Sequence, residues 1–132
     1  MKKFTSLLII CLAVLCFFSS CAAFEKKPLE AKYKHYGSII YKNAKGEGIS
    51  VDRTDLYLYP NGEYKIDLVN SGTWEKDEDD PNKIILTASD TFIFSRLVLE
   101  YDPKWYELEP IDHESTNPGF KINSFFKYTS PL

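Results

Sequence analysis

Cysteine and methionine are nearly absent from most of this chain. Its 132 residues include three Cys, all within the first 21 positions, and one Met, the initiator. A disulfide-rich scaffold, a Cys-based zinc site and a Met-rich copper site are therefore excluded from the body of the sequence. The two His, His35 and His113, stand far apart and in no metal-ligand spacing, so we predict no metal ion and no cofactor.

Motifs for catalysis are also missing. The sequence has no G-x-S-x-G, no Gly-rich phosphate loop and no Cys nucleophile after position 21. The densest acidic run, Asp77–Asp80, lacks the Gly and the alternation of a calcium loop, so we interpret it as a solvated hairpin loop. The mass of 15.2 kDa leaves room for one domain. We expect a protein that is not an enzyme, with a hydrolase as the remaining alternative.

The first twenty residues have the pattern of a secretory signal peptide. Lys2 and Lys3 precede an apolar run, Leu7–Phe18, which small residues then follow. The run has twelve residues, whereas a helix that spans a bilayer needs roughly 20. We therefore exclude residues 1–20 from the folded domain.

The end of this segment, Phe18-Ser19-Ser20-Cys21, resembles the lipobox of bacterial lipoproteins, in which the Cys is lipidated and becomes the mature N-terminus. Phe18 stands where that motif usually has Leu. The resemblance implies palmitate-type acylation of Cys21 and a lipid anchor in the cell envelope. Ala22 follows Cys21 where an Asp would stand in a retention signal, and the resemblance to enterobacterial sorting implies the outer membrane. Cleavage after Ala23, which would release a soluble secreted protein, and an uncleaved anchor are the alternatives.

The charge beyond the signal peptide is unevenly spread. Residues 21–46 contain six Lys against two Glu, whereas the remainder contains eight Lys or Arg against seventeen Asp or Glu. We expect residues 21–31 to form a tether and residues 32–132 a single domain. A basic stretch behind a lipid anchor suits an anionic membrane surface, although a merely solvated tether explains it as well. The acidic remainder argues against a nucleic-acid partner.

The body of the chain has the pattern of short strands between turns. Its clearest feature is a hairpin in which Pro60-Asn61-Gly62 joins two β-rich runs. With turn signals every 8–12 residues, this predicts an all-β fold, a single small antiparallel barrel or a sandwich of about eight strands. We also expect a first strand at 36–41, a strand within 91–101 and a last strand at 120–128. A further strand is expected at 63–68, with Tyr64, Ile66 and Leu68 on one face. The remaining expected elements are a loop at 110–119 and a short helix at 29–36.

One stretch of about 30 residues resembles lipocalin-like bacterial lipoproteins. The pattern is Leu56-x-Leu-x-Pro-Asn-Gly-x-Tyr, then Ser71-Gly72-Thr73-Trp74, then an aliphatic strand in 82–86. In that family a hairpin with an Asn-Gly or Asp-Gly turn leads to a G-x-W strand and then an aliphatic strand. The resemblance implies a small meander barrel and does not indicate its ligand.

Aromatic residues are abundant, with nine Phe, nine Tyr and two Trp. They serve either as the bulky core of a small β protein or as the lining of a ligand cavity or partner-binding face. Because Phe125 and Phe126 are adjacent, they are expected to face opposite sides of a strand. The ligand-binding candidates are Tyr57, Tyr59, Tyr64, Trp74, Phe92, Phe94, Trp105 and Tyr106.

Two functions follow from these features. The first is non-enzymatic binding at the cell envelope, of a small apolar or aromatic ligand in the barrel or of a protein partner on an aromatic face. The second is a structural or accessory subunit of an envelope complex. A ligand binder needs an apolar cavity of several hundred Å³. An accessory subunit needs a filled barrel and an exposed apolar patch.

Overall fold

A computed structural model describes residues 27–132, and its regular structure is entirely β. Within this range no helix is long and apolar enough to cross a bilayer. The predicted signal peptide and Cys21 lie outside the described residues. The strands are β1 (Ala31–Lys42), β2 (Gly48–Asp52), β3 (Asp55–Leu58), β4 (Glu63–Ile66), β5 (Asn70–Lys76), β6 (Lys83–Ala88), β7 (Arg96–Asp102), β8 (Glu107–Glu114) and β9 (Lys121–Pro131).

The strands form one antiparallel sheet that closes on itself. Their order is β2-β1-β3-β4-β5-β6-β7-β8-β9, and β9 also pairs with β1. Eight strands therefore make a closed barrel, and β2 is an extra strand beside β1. Closure removes the open edges of the eight barrel strands, and β2 remains as a short edge strand. The predicted all-β fold is confirmed, as the small lipocalin-like barrel and not as the sandwich.

The longest strand, β1, pairs with three others. β9 runs along one side of it, from Ala31 to Ile40. On its other side, β3 pairs with residues 32–34 and β2 with residues 38–42. Gly37 lies where the partner changes and has φ +110°. A Cβ atom at this position would overlap the carbonyl oxygen of Asn123 on β9, so glycine permits the close approach of the two strands.

The predicted hairpin is confirmed as the link between β3 and β4. Gly62 takes φ +88° in the turn, and the backbone amide of Tyr59 donates to the carbonyl oxygen of Glu63 at 2.9 Å. The Asn61 side chain accepts a hydrogen bond from the Glu63 amide at 3.0 Å. Asn and Gly supply the local hydrogen bond and the positive φ that the tight turn needs.

The helix expected at 29–36 is wrong. From Ala31 the chain is a strand, with Tyr33 and His35 buried and Lys34 and Tyr36 exposed. This alternation has the period of two that a strand with one dry face requires. The local sequence of this segment is compatible with either a helix or a strand, and cross-strand pairing therefore decides its conformation.

Two expected limits, the end of β4 and the start of the loop at 110, are wrong, and the strand expected within 91–101 fills only the second part of that range. β4 ends at Ile66, and Leu68 is 81% exposed with φ +66° in the turn that follows. Residues 91–95 form bends before β7, where the amide of Phe92 bonds to the side chain of Asp90 at 2.9 Å. The region 110–119 is a loop only in its second half, since β8 extends to Glu114 through an irregularity in its pairing with β7.

The interior of the barrel is filled with apolar side chains. Strands all around the barrel contribute to one contiguous cluster. Its largest aromatic members, Tyr33, Tyr64, Phe94 and Phe126, are each at most 1% exposed. Each such side chain stabilises the fold by about 1.5–3 kcal/mol through its burial. Among the described residues there is no Cys, so packing rather than disulfides holds this domain together.

Candidate functional site

The eight aromatic candidates do not converge on one site. Tyr64 and Phe94 are 1% and 0% exposed and belong to the packed core. Trp74 is half-buried, and its indole N–H donates to the carbonyl oxygen of Tyr59 at 2.8 Å. These side chains contact other protein groups, so the inward candidates fill the barrel and do not line a space for a ligand.

The outward candidates are dispersed over the surface. Tyr57 stacks on Tyr59, with ring centroids 6.0 Å apart. Phe92 is 46% exposed in the loop before β7 and does not share a face with Phe94. Trp105 is 55% exposed in the turn between β7 and β8, where Tyr106 has φ +53°.

The clefts found along residues 27–132 open to solvent. One of about 570 Å³ lies where the chain approaches β1, between residues 27–30 and Tyr101. Another of about 590 Å³ lies over residues 34–38, beside Asp52 and Arg53. Phe92, one of the eight candidates, lines a third cleft of about 400 Å³. An apolar cavity lined by inward aromatics, as a ligand-binding barrel needs, is not among them.

A different surface gathers aromatic and basic side chains, and we call it the basic aromatic face. It is the outer side of the β1–β9 pair. Tyr36 and Phe125 are opposite each other in the register and 41% and 39% exposed. Their rings stack with centroids 5.1 Å apart and planes 13° from parallel. The face comprises Lys32, Lys34, Tyr36, Ile40, Lys42, Lys121, Phe125 and Lys127.

The charge of this face has one sign. β1 and β9 together contain five Lys and no Asp or Glu. The other described residues contain eight Lys or Arg against eighteen Asp or Glu. The barrel thus has one cationic side on a strongly anionic body, and such an asymmetry creates a directed electrostatic field.

Two lysines of the face lie directly opposite each other. Lys34 pairs with Lys127 in the register, and neither has a carboxylate within ion-pair distance in the described part of the chain. Lys34 Nζ lies 5.6 Å from the ring centroid of Tyr36, at cation–π distance. Directly opposed like charges destabilise a sheet. On their other sides, Lys34 is opposite Asp55 of β3 and Lys127 is opposite Glu107 of β8, so these carboxylates offset part of the repulsion.

Acidic residues border the face at three points. Lys32 Nζ lies 3.8 Å from a carboxylate oxygen of Asp55 on β3. Glu107 on β8 is opposite Lys127, and Asp52 on β2 is opposite Ser38. These carboxylates limit the cationic area to the β1–β9 pair.

A buried histidine lies beneath the face. His35 is 1% exposed, and its Nε2 is 2.6 Å from Ser124 Oγ. The Ser124 hydroxyl donates to the carbonyl oxygen of Ser38 at 3.0 Å, so it accepts from Nε2–H of His35. Nδ1 has no hydrogen-bond partner among residues 27–132. Burial lowers the pKa of His35, and the nearby charge of Asp52 opposes this shift.

The direction of this hydrogen bond is opposite to that in a catalytic Ser–His pair. A general base must accept the serine proton at Nε2, whereas here Nε2 carries a proton and donates it. In the described part of the chain, no carboxylate hydrogen-bonds Nδ1 to orient the ring. The pair instead links β1 to β9 below Tyr36 and Phe125. The other histidine, His113, is exposed, and its ring packs on Phe120 with centroids 4.9 Å apart.

Comparisons add no further assignment. No family model, no curated protein and no solved structure matches this chain. Among residues 27–132 no three His, Cys, Asp or Glu side chains are grouped as metal ligands.

The basic aromatic face was missed by sequence reasoning because it joins two distant segments. Tyr36 and Phe125 are each ordinary strand aromatics, and only the closure of β9 on β1 stacks them. The adjacency of Phe125 and Phe126 gave a partial signal. The expected division is confirmed, with Phe125 39% and Phe126 0% exposed.

Proposed function

We propose that this protein is a cell-envelope lipoprotein, acylated at Cys21, whose barrel has a non-enzymatic binding role through the basic aromatic face. The lipobox-type sequence supports the anchor. Several acyl chains on one Cys give stable anchoring, at about 0.8 kcal/mol per buried CH₂. The Ala at position 22 favours the outer membrane as its location.

The observation that carries the binding role is a filled barrel with a stacked, exposed aromatic pair on its outer side. A packed interior favours recognition on the surface over a small apolar ligand inside the barrel. Tyr and Phe are enriched at binding surfaces because a rigid ring offers a large contact area at small entropic cost. Such a pair surrounded by lysines suits an anionic partner.

An accessory subunit of an envelope complex is the second candidate. Exposed hydrophobic side chains away from the face favour it, namely Phe92, Trp105 and Ile111 at 45–55% exposure. An accessory subunit that docks through these residues would leave the basic aromatic face uncovered.

Photo-crosslinking distinguishes these two functions. A benzophenone amino acid replaces Phe125 or, as the matched control, the similarly exposed Phe92 in cells that secrete the chain. Binding through the basic aromatic face gives crosslinks to an envelope component from position 125 and few from 92. The reverse pattern, or none above background at 125, would reject the proposed face.

The lipid anchor is tested separately. Replacing Cys21 with Ala should release the protein from the membrane fraction and abolish labelling with a radioactive or clickable fatty acid. An unchanged membrane fraction in the Cys21→Ala chain would defeat the lipobox interpretation without affecting the crosslinking result.

A further inference from the structure

We infer that the basic aromatic face docks on the anionic phospholipid surface of a bilayer. The inference rests on the proposed binding role of this face and names its partner.

Charge complementarity is the first ground. The five lysines occupy both ends of the face, with Lys32, Lys34 and Lys127 on one side of the stacked rings and Lys42 and Lys121 on the other. Of these five lysines, only Lys32 makes an ion pair with another described residue. Four long side chains are thus available to headgroup phosphates spread over a plane.

The aromatic pair is the second ground. Tyr36 and Phe125 lie at the middle of this lysine field and are about two-fifths exposed. Tyr favours the boundary between headgroups and acyl chains because its ring is apolar and its hydroxyl is polar, and the adjacent Phe125 ring adds apolar area there. Lysines that hold phosphates therefore bring the two rings to the depth at which they are stable.

The rest of the barrel provides the third ground, because it fixes the orientation. Outside β1 and β9 the described chain carries ten more negative than positive side chains, counting eighteen Asp or Glu against eight Lys or Arg. An anionic bilayer repels those surfaces and attracts the basic aromatic face. An acidic protein partner would satisfy the same charges, but the position of the anchor favours the bilayer.

The length of the chain between the anchor and the face is the fourth ground. Lys32 is the eleventh residue after Cys21. At no more than about 3.5 Å per residue, an acyl group on Cys21 holds the start of the face within roughly 40 Å of the bilayer. The bilayer is then the anionic surface that the face meets at the highest effective concentration.

Vesicle flotation tests this docking. The full-length chain with Cys21→Ala, which removes the acyl group, is mixed with vesicles of phosphatidylcholine alone or with added phosphatidylglycerol. The N-terminal segment, which carries Lys2, Lys3, Lys26 and Lys27, is the same in every variant, so the difference between the charge variants below reports the face. We expect binding that favours phosphatidylglycerol and disappears at about 1 M salt, where the Debye length is about 3 Å.

Matched charge variants locate the binding surface. In Lys34→Gln with Lys127→Gln, we expect the preference for phosphatidylglycerol to fall about 25-fold, or fivefold per lysine. Lys76→Gln with Lys83→Gln removes the same charge from β5 and β6, on the opposite side of the barrel, and should leave the preference almost unchanged. Circular dichroism shows whether both variants are folded.

Three results separate the possible outcomes. Equal binding to the two kinds of vesicle, or equal losses in the two double variants, would overturn the docking inference. If a protein is crosslinked from position 125 while the vesicles show no preference, the face binds an acidic protein and the proposed function stands. If both experiments fail, the face has no binding role.

Discussion

Replacing Gly37 with Ala is expected to weaken the barrel at the closure that builds the basic aromatic face. An Ala side chain there would overlap the carbonyl oxygen of Asn123 and lie 2.9 Å from Ser124 Cα. It would also have to adopt φ +110°, a conformation that costs about 1–3 kcal/mol for residues other than Gly. Moving β1 away from β9 would sacrifice backbone hydrogen bonds worth about 1 kcal/mol each. We therefore expect a loss of about 3–5 kcal/mol in the free energy of unfolding.

Equilibrium urea denaturation, followed by circular dichroism, measures this loss. With a slope of about 2 kcal/mol per molar, the midpoint should fall by about 2 M. Two glycines provide controls, because a Cβ atom at either would meet no atom within 4 Å. Gly46→Ala, at φ +79°, should cost about 1–2 kcal/mol, and Gly48→Ala should be nearly neutral. A Gly37→Ala midpoint close to that of Gly48→Ala would refute the close approach of the strands.

Further predictions concern the core and the buried histidine. Phe126→Ala should cost about 3–5 kcal/mol of unfolding free energy, whereas Phe125→Ala should cost about 0.5–1.5 kcal/mol, as urea midpoints would show. Equal losses would contradict the assigned inward and outward faces. Burial lowers the pKa of His35 below its ordinary value of 6.5, so unfolded chains bind the proton more readily and stability declines as the pH falls below about 6.5. The slope from this group is at most about 1.4 kcal/mol per pH unit, and His35→Gln should remove it while His113→Gln should not. A slope that persists in His35→Gln would show that another group causes it.

Local patterns predict the fold where chemistry and pairing agree. The Asn61-Gly62 turn specifies its hairpin because it supplies a side-chain acceptor and a positive φ within one turn. The end of β4, in contrast, is decided by the turn that follows it. Leu68 has an apolar side chain in the right register for a dry face, but the turn into β5 requires it at φ +66° and leaves it exposed.

The candidate site depends on pairing between segments that lie far apart in sequence. Inward aromatics such as Tyr64 and Phe94 fill the barrel, so their abundance reflects the volume of the core. Considered without β9, the lysines of β1 are only part of the basic stretch that follows the predicted anchor, residues 21–46. Barrel closure places Lys127 opposite Lys34 and Phe125 opposite Tyr36. These pairs create a continuous cationic and aromatic surface, to which the β1 lysines belong.

Coverage of the basic aromatic face in the native envelope is the most direct test of its role. Hydroxyl-radical footprinting of the full chain, in membranes and after extraction into detergent, reports the accessibility of individual side chains. We expect oxidation of Tyr36 and Phe125 to be several-fold lower in membranes, while that of the similarly exposed Phe92 changes little. Equal oxidation of Tyr36 and Phe125 in the two preparations would contradict a role for this face in binding.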